Sequence, residues 1–96
     1  MPLVQVTWVR DADPILDLEE HAAAAAAVQN LLLAATGMGI ASFWSTNPAL
    51  SHPMTLAWCG ADPRQESHLG GIWLGYSTEV VKPPPRKALS ERVRWL

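Results

Sequence analysis

Ninety-six residues allow one domain at most, and a chain of that size buries only about two-thirds of the surface it exposes when unfolded. At 49% hydrophobic and 17% charged, with a net charge of −2, the composition excludes wholesale disorder and argues against a general nucleic-acid binder. A single cysteine, Cys59, excludes an internal disulfide and fits a reducing, cytoplasmic setting.

The first nine residues carry neither a basic n-region nor an apolar h-region, so a signal peptide is not expected. Leu3–Val9 (LVQVTWV) is rich in β-branched and aromatic residues and predicts a strand. Val4, Val6 and Trp8 share one face; Leu3, Gln5, Thr7 and Val9 share the other. Arg10–Pro14 (RDADP) has turn composition and ends the strand.

A long helix follows over Leu18–Thr36. Six consecutive alanines, Ala22–Ala27, run into Leu31, Leu32 and Leu33, and nothing in the segment breaks a helix. Asp17 is the expected N-cap, with Glu20 completing a capping-box pair, and Gly37 or Gly39 supplies the stop. Apolar residues occupy every side, which predicts a helix in the middle of a protein. From His21 to Gly39 there are 19 residues without a formal charge, enough to raise a membrane span. Alanine gains little from lipid, and Gln29, Asn30 and Thr36 would need partners in hydrocarbon, so a protein-buried helix is the better reading.

Ser42-Phe43-Trp44-Ser45-Thr46-Asn47 reads as a loop, and Pro48 and Pro53 mark a surface connection after it. Met54–Cys59 is too short for its pattern to separate helix from strand, and Gly60–His68 is a loop. Gly71–Ser77 (GIWLGYS) predicts a second strand, central because nearly every residue is apolar, with Gly75 marking a bulge or close approach. Pro83-Pro84-Pro85 imposes an extended stretch, and Leu89, Val93 and Leu96 have the spacing of a short amphipathic tail helix. Five of the seven Lys and Arg residues lie in the last 15 positions, which reads as a solvated tail or, more sharply, as a phosphate contact.

No catalytic constellation is complete. His21, His52 and His68 stand 31 and 16 residues apart, without partners at metal-ligand spacing, so no metal site is expected. There is no G-x-S-x-G elbow, and Gly37-x-Gly39 lacks the third glycine and the preceding strand of a dinucleotide fingerprint. Lys82–Lys87 (KPPPRK) is similar to an SH3 or WW ligand, a pattern that arises readily by chance.

Four landmarks in order carry a resemblance. AAAAAAVQNLLLAATGMGIASFWSTN resembles the central helix and following loop of the FMN-dependent nitroreductase family, particularly its short-chain subgroup. Gly39, Ile40, Ser42, Trp44 and Thr46 fit its pattern, while Asn47 stands where a glycine is usual. Gly70–Tyr76 (GGIWLGY) and Pro85–Val93 are similar to the family's last strand and tail, and Pro2–Val9 to the strand before the helix. The resemblance covers nearly the whole chain but only the C-terminal half of the family's fold, without the N-terminal segment that grips the flavin phosphate and ribityl chain. It implies one partial domain over residues 1–96: an α+β fold with a long buried central helix on a small sheet, completed by dimerisation.

The same resemblance implies FMN as cofactor and NAD(P)H as co-substrate, with electrons passed to a nitroaromatic or quinone-like acceptor. It places Trp44, Ser45, Thr46 and Asn47 against the isoalloxazine edge, mainly through backbone N–H groups, and Arg86 on the flavin phosphate. It also turns Met54–Cys59 towards a short helix. No side chain need act as acid or base, because a flavin carries its own chemistry. The partners expected are a second copy of the chain and a small-molecule acceptor, with neither nucleic acid nor membrane. A reading of another class is a non-catalytic remnant or dimerising module that binds no flavin.

Overall fold

In the computed structural model, which describes residues 1–96, the chain runs β1 (Leu3–Val9), α1 (Pro14–Gly37), β2 (Ala41–Ser45), α2 (Pro48–Ser51), α3 (Pro53–Trp58) and β3 (Glu66–Gly75). A short 3-10 turn at Leu89–Glu91 follows. β3 lies between β1 and β2 and pairs antiparallel with both. The expected α+β architecture is present, with the apolar strand at the centre of the sheet and α1 packed across one face.

α1 begins at Pro14, four residues before the expected start. Asp13, not Asp17, is its N-cap: the Asp13 carboxylate accepts from the N–H of Ile15 at 2.8 Å, and Pro14 takes the first helical position, where its missing N–H costs nothing. Asp17 sits inside the first turn and accepts from the Trp8 indole N–H at 3.1 Å and the Asp11 N–H at 3.0 Å. It therefore staples the β1–α1 turn to the helix rather than capping it. The far end is as expected. Gly39 takes a φ of +73°, and the Ile40 N–H reaches back to Ala35 O while the Gly39 N–H reaches Thr36 O. That pair is the Schellman arrangement, which a glycine permits at low cost.

Three expectations about the middle of the chain change. Ala41–Ser45 is a strand rather than a loop. Pro48 and Pro53, expected to mark a surface connection, start two short helices, because each stands at a first helical position after a capping residue, Asn47 and His52. β3 begins at Glu66, inside the segment expected to be a loop. Met54–Cys59 is helical over Pro53–Trp58, as the resemblance implied.

The irregularity in β3 lies elsewhere than at Gly75. Val6 pairs with Gly70 but Thr7 pairs with His68, so Leu69 is the extra residue of a bulge. Side chains alternate along a strand, and one inserted residue swaps the faces beyond it. Leu69 stays in the core with Val28 and Ile72, while His68 and Glu66 move to the opposite face with Thr7. The close approach is at Gly70, where an added Cβ would lie 2.0 Å from the Trp44 indole nitrogen.

The core is Val28, Leu69 and Ile72, flanked by Val6, Trp8, Ala24, Ala25, Leu31, Leu32, Trp44 and Leu74. α1 is covered on one side only, with Val28 and Ala35 its only buried residues, so the helix expected to be apolar and buried all round is largely open. The accessible surface is 7800 Å², against about 5,400 Å² for a compact monomer of this mass. The radius of gyration, 16.2 Å, likewise exceeds the roughly 12.5 Å of a compact 96-residue domain. No helix is long and apolar enough to cross a membrane.

After Tyr76 the chain is exposed throughout. Its hydrogen bonds run within the tail, from Glu79 to Ser77 and around the single turn at Ala88–Val93. The expected amphipathic tail helix is reduced to that turn, since no surface of this chain meets Leu89, Val93 and Leu96 to reward a longer one.

Candidate functional site

Trp44, Ser45, Thr46 and Asn47 are consecutive, and the fold holds them at the end of an edge strand. β2 is hydrogen-bonded to β3 on one side only, so its outer edge is unpaired. The Trp44 side chain turns inward over Gly70 and donates from its indole N–H to Leu69 O at 3.3 Å. It anchors the strand and leaves only its backbone to face outward. Asn47 also faces its own chain: its side-chain oxygen accepts from the Ala49 N–H at 2.8 Å and its carbonyl accepts from Leu50 and Ser51.

What remains free is backbone. Neither the Thr46 N–H nor the Asn47 N–H has a hydrogen-bond partner within the chain, and both residues are exposed. Two successive donors beside an open strand edge suit an acceptor-rich ring edge, and they stay fixed because β2 on one side and α2 on the other hold them. These residues fit a flavin through its ring acceptors. Asn47 in place of glycine is explained here: its side chain is the cap that starts α2.

Arg86 is not part of this cluster. It lines an open hollow with Pro85, Lys87 and Arg92, all tail residues. The concentration of positive charge suits a phosphate, but no element of the sheet contributes to it. Along the other end of β2, Met1, Phe43, Trp73, Leu74 and Tyr76 line a shallow apolar hollow of about 210 Å³. Enclosed small-molecule sites run about 300–1,000 Å³, so this hollow does not by itself wall in a ligand of cofactor size.

Sequence reasoning passed over two residues behind the site. Gln5 lies on the sheet face away from α1, and its amide nitrogen contacts both Leu50 O and His68 Nδ1 at 2.8 Å. Gln5 Oε1 and His68 Nε2 are buried without a hydrogen-bond partner. Burial also holds the His68 pKa below its ordinary value. The signal available was a glutamine in a mainly apolar strand; the bulge that aims His68 at it is not visible in residue pattern. No cluster of metal-ligating side chains is present.

Comparison with known proteins follows the same division. The Nitroreductase family matches over residues 4–76. Among solved structures, a nitroreductase-like family protein from Bacillus cereus superposes with a TM-score of 0.84 at 22% identity, over 98% of this chain and 50% of that one. A Desulfovibrio desulfuricans protein described as a nitroreductase, solved in complex with FMN, superposes with a TM-score of 0.73 at 24% identity, over 97% of this chain and 54% of its own. The chain thus spans about half the length of the solved structures it matches. No curated protein matches it significantly.

Proposed function

Because the chain belongs to the nitroreductase family, we propose that it is the C-terminal half of an FMN-dependent oxidoreductase site, working in a dimer with NAD(P)H as hydride donor and a nitroaromatic or quinone-like acceptor. The observation that carries this reading is the pair of unpartnered N–H groups at Thr46 and Asn47, at the end of an edge strand. A bound flavin would supply the redox chemistry. The residues here bind and orient: Thr46 and Asn47 donate to ring acceptors, where charge builds on reduction, and Arg86 supplies a guanidinium for the phosphate.

A dimer is part of the proposal. The surface in excess of a compact monomer is about 2,400 Å² per chain, well within what obligate interfaces bury. Part of the exposed apolar surface lies on α1, at Ile15, Leu16, Leu18 and Leu33, and more of it on the tail. Two-fold pairing is the commonest way to cover such a face, and the alanine run lets two backbones approach closely. Light scattering at micromolar concentration checks it; a stable monomer that resists proteolysis overturns it.

The flavin reading is tested by titrating the protein with FMN and comparing two variants. Thr46→Ala keeps the N–H and is expected to leave affinity nearly unchanged. Thr46→Pro deletes a donor the fold does not use, and the preceding Ser45 is already extended as a residue before proline must be. It is expected to weaken FMN about fivefold, for a hydrogen bond worth about 1 kcal/mol. Equal effects would exclude a backbone-mediated site. A protein that is colourless as purified and takes up no FMN would favour the module without flavin.

A further inference from the structure

We propose that Gln5 is a positioning residue whose amide latches α2 to His68, so that the protonation state of His68 sets how firmly the Thr46–Asn47 backbone is held. The consequence for the cofactor rests on the flavin reading; the latch itself does not.

α2 has four residues and cannot be stable alone. Two contacts hold it to the sheet. Its Leu50 side chain sits in the notch left by Gly71, where an added Cβ would lie 2.7 Å from Leu50 Cδ1. Its Leu50 carbonyl accepts one N–H of the Gln5 amide. The second amide N–H goes to His68 Nδ1, which can accept only while that nitrogen is unprotonated. The clasp therefore selects neutral histidine with its proton on Nε2. Leu50 N–H and Ser51 N–H both bond to Asn47 O, so whatever moves α2 moves the end of the candidate site.

Nothing around His68 is arranged to welcome a second proton. Glu66, on the same face, has its carboxylate occupied by the Thr7 hydroxyl at 2.6 Å and the Asp62 N–H at 2.6 Å. The Arg10 guanidinium is committed to the carbonyls of Pro63, Arg64 and Glu66 and to the Ser67 hydroxyl. His52, between α2 and α3, accepts from the Met54 N–H, and α2 itself has no ionisable side chain. On the other face of the sheet, His21 of α1 packs edge-on to Trp8. Burial lowers the pKa of His68 with no neighbouring charge offsetting it.

A proton arriving on Nδ1 would point at the Gln5 N–H, donor against donor. The amide can relieve this by rotating to present Oε1, but then Leu50 O loses its donor. α2 is left with the Leu50 side-chain contact to the sheet and the bond that Ala49 O accepts from the Thr55 hydroxyl of α3. Folded His68 titrates below the ordinary 6.5, so the unfolded chain takes up the proton first. The latch is at full strength above that value and weakens as pH falls below it.

Hydrogen exchange of the full chain, corrected for intrinsic rates, reads the latch without any cofactor. Protection at Leu50, Ser51 and Leu56 is expected to fall about tenfold between about pH 8 and about pH 5 relative to Ile72 in β3, the range over which histidine titrates. His68→Asn keeps an acceptor near the Nδ1 position without titrating there, and its profile is expected to be flat. Gln5→Met is expected to show low α2 protection at every pH. A flat wild-type profile, or a His68→Asn profile that follows wild type, overturns the proposal even if Gln5→Met does not fold. FMN affinity is measured on the same samples. It is expected to weaken several-fold with acid in wild type and not in His68→Asn. If the exchange results hold and FMN never binds, the flavin reading fails and the latch stands. If FMN binds while α2 protection ignores pH, the latch fails and the flavin reading stands.

Discussion

Residues 3–76 and residues 77–96 are held by different means. In the first region the sheet, α1 and the two short helices support one another, and every buried residue lies there. The second makes only local hydrogen bonds, from Glu79 to Ser77 and around one turn, although it carries most of the basic side chains. The family match stops at the same place, residue 76. The sheet and helices thus support one another without the tail, which makes no hydrogen bond to them. The proposed site is split along that line, with backbone donors in the ordered region and the phosphate cation in the tail.

The largest expected effect tests the ordered region. Ile72 is fully buried, at the contact between β3, α1 and the Trp44 side chain. Ile72→Ala should cost about 2–5 kcal/mol, the transfer energy of the lost carbons plus the cavity left behind. In so small a core that is enough to unfold the chain in mild denaturant. A replacement in the tail such as Val81→Ala, where Val81 is 80% exposed, should change stability by under about 0.5 kcal/mol. A denaturation midpoint that responds equally to the two would erase the distinction.

The next effect crosses the line. Arg86→Ala should leave unfolding unchanged but weaken FMN about tenfold to a hundredfold, the worth of a charge-assisted hydrogen bond of about 1.5–3 kcal/mol. Riboflavin, which has no phosphate, should be unaffected. Equal losses for the two ligands would make Arg86 a structural residue and return the whole site to the first region.

The same comparison explains what residue pattern could and could not reveal. β1, α1 and the central position of β3 were legible because each rests on local composition: alternation, helix formers and a continuous apolar run. The C-terminal stop of α1 was legible too, since glycine at a left-handed position is a local requirement. Several misreadings involve information held elsewhere in the chain. Ala41–Ser45 is a strand because β3 is there to pair with it. The bulge at Leu69 appears only as a mismatch in register with β1. Leu89–Leu96 has helical spacing but no surface to pack on. At the site, the positions of Trp44 to Asn47 came from resemblance. That Trp44 points inward and Asn47 caps α2 came only from three-dimensional neighbours.

A smaller effect separates two aspartates that pattern alone confuses. Asp13→Ala removes the cap of α1 and should cost about 1 kcal/mol, with fraying over Ile15 and Leu16. Asp17→Asn keeps an acceptor oxygen for the Trp8 indole and the Asp11 N–H, and should cost less. Thermal denaturation of the two variants measures the difference. A greater loss from Asp17→Asn would make Asp17 the capping residue after all.

The smallest effect concerns the acid limb of stability. Glu66 has its pKa lowered first by the Thr7 hydroxyl and then by the Asp62 N–H, and Asp17 is lowered by the Asp11 N–H and the Trp8 indole. Both carboxylates favour the charged form more in the folded chain than in the unfolded one. Their contribution is therefore complete above the ordinary values of 4.5 and 3.8 and is lost as pH falls through the lower folded values. Both are only partly shielded from solvent, so the effect is modest and screened by salt. Glu66→Gln cannot lose a charge on acidification, and its melting temperature should fall less steeply with acid than that of wild type. Repeating the comparison in a His68→Asn background separates this limb from the contribution of the histidine. Loss of the Glu66→Gln difference in high salt would mark it as electrostatic. Its survival there would assign it to the two hydrogen bonds, and to the geometry that joins β1 to the start of β3.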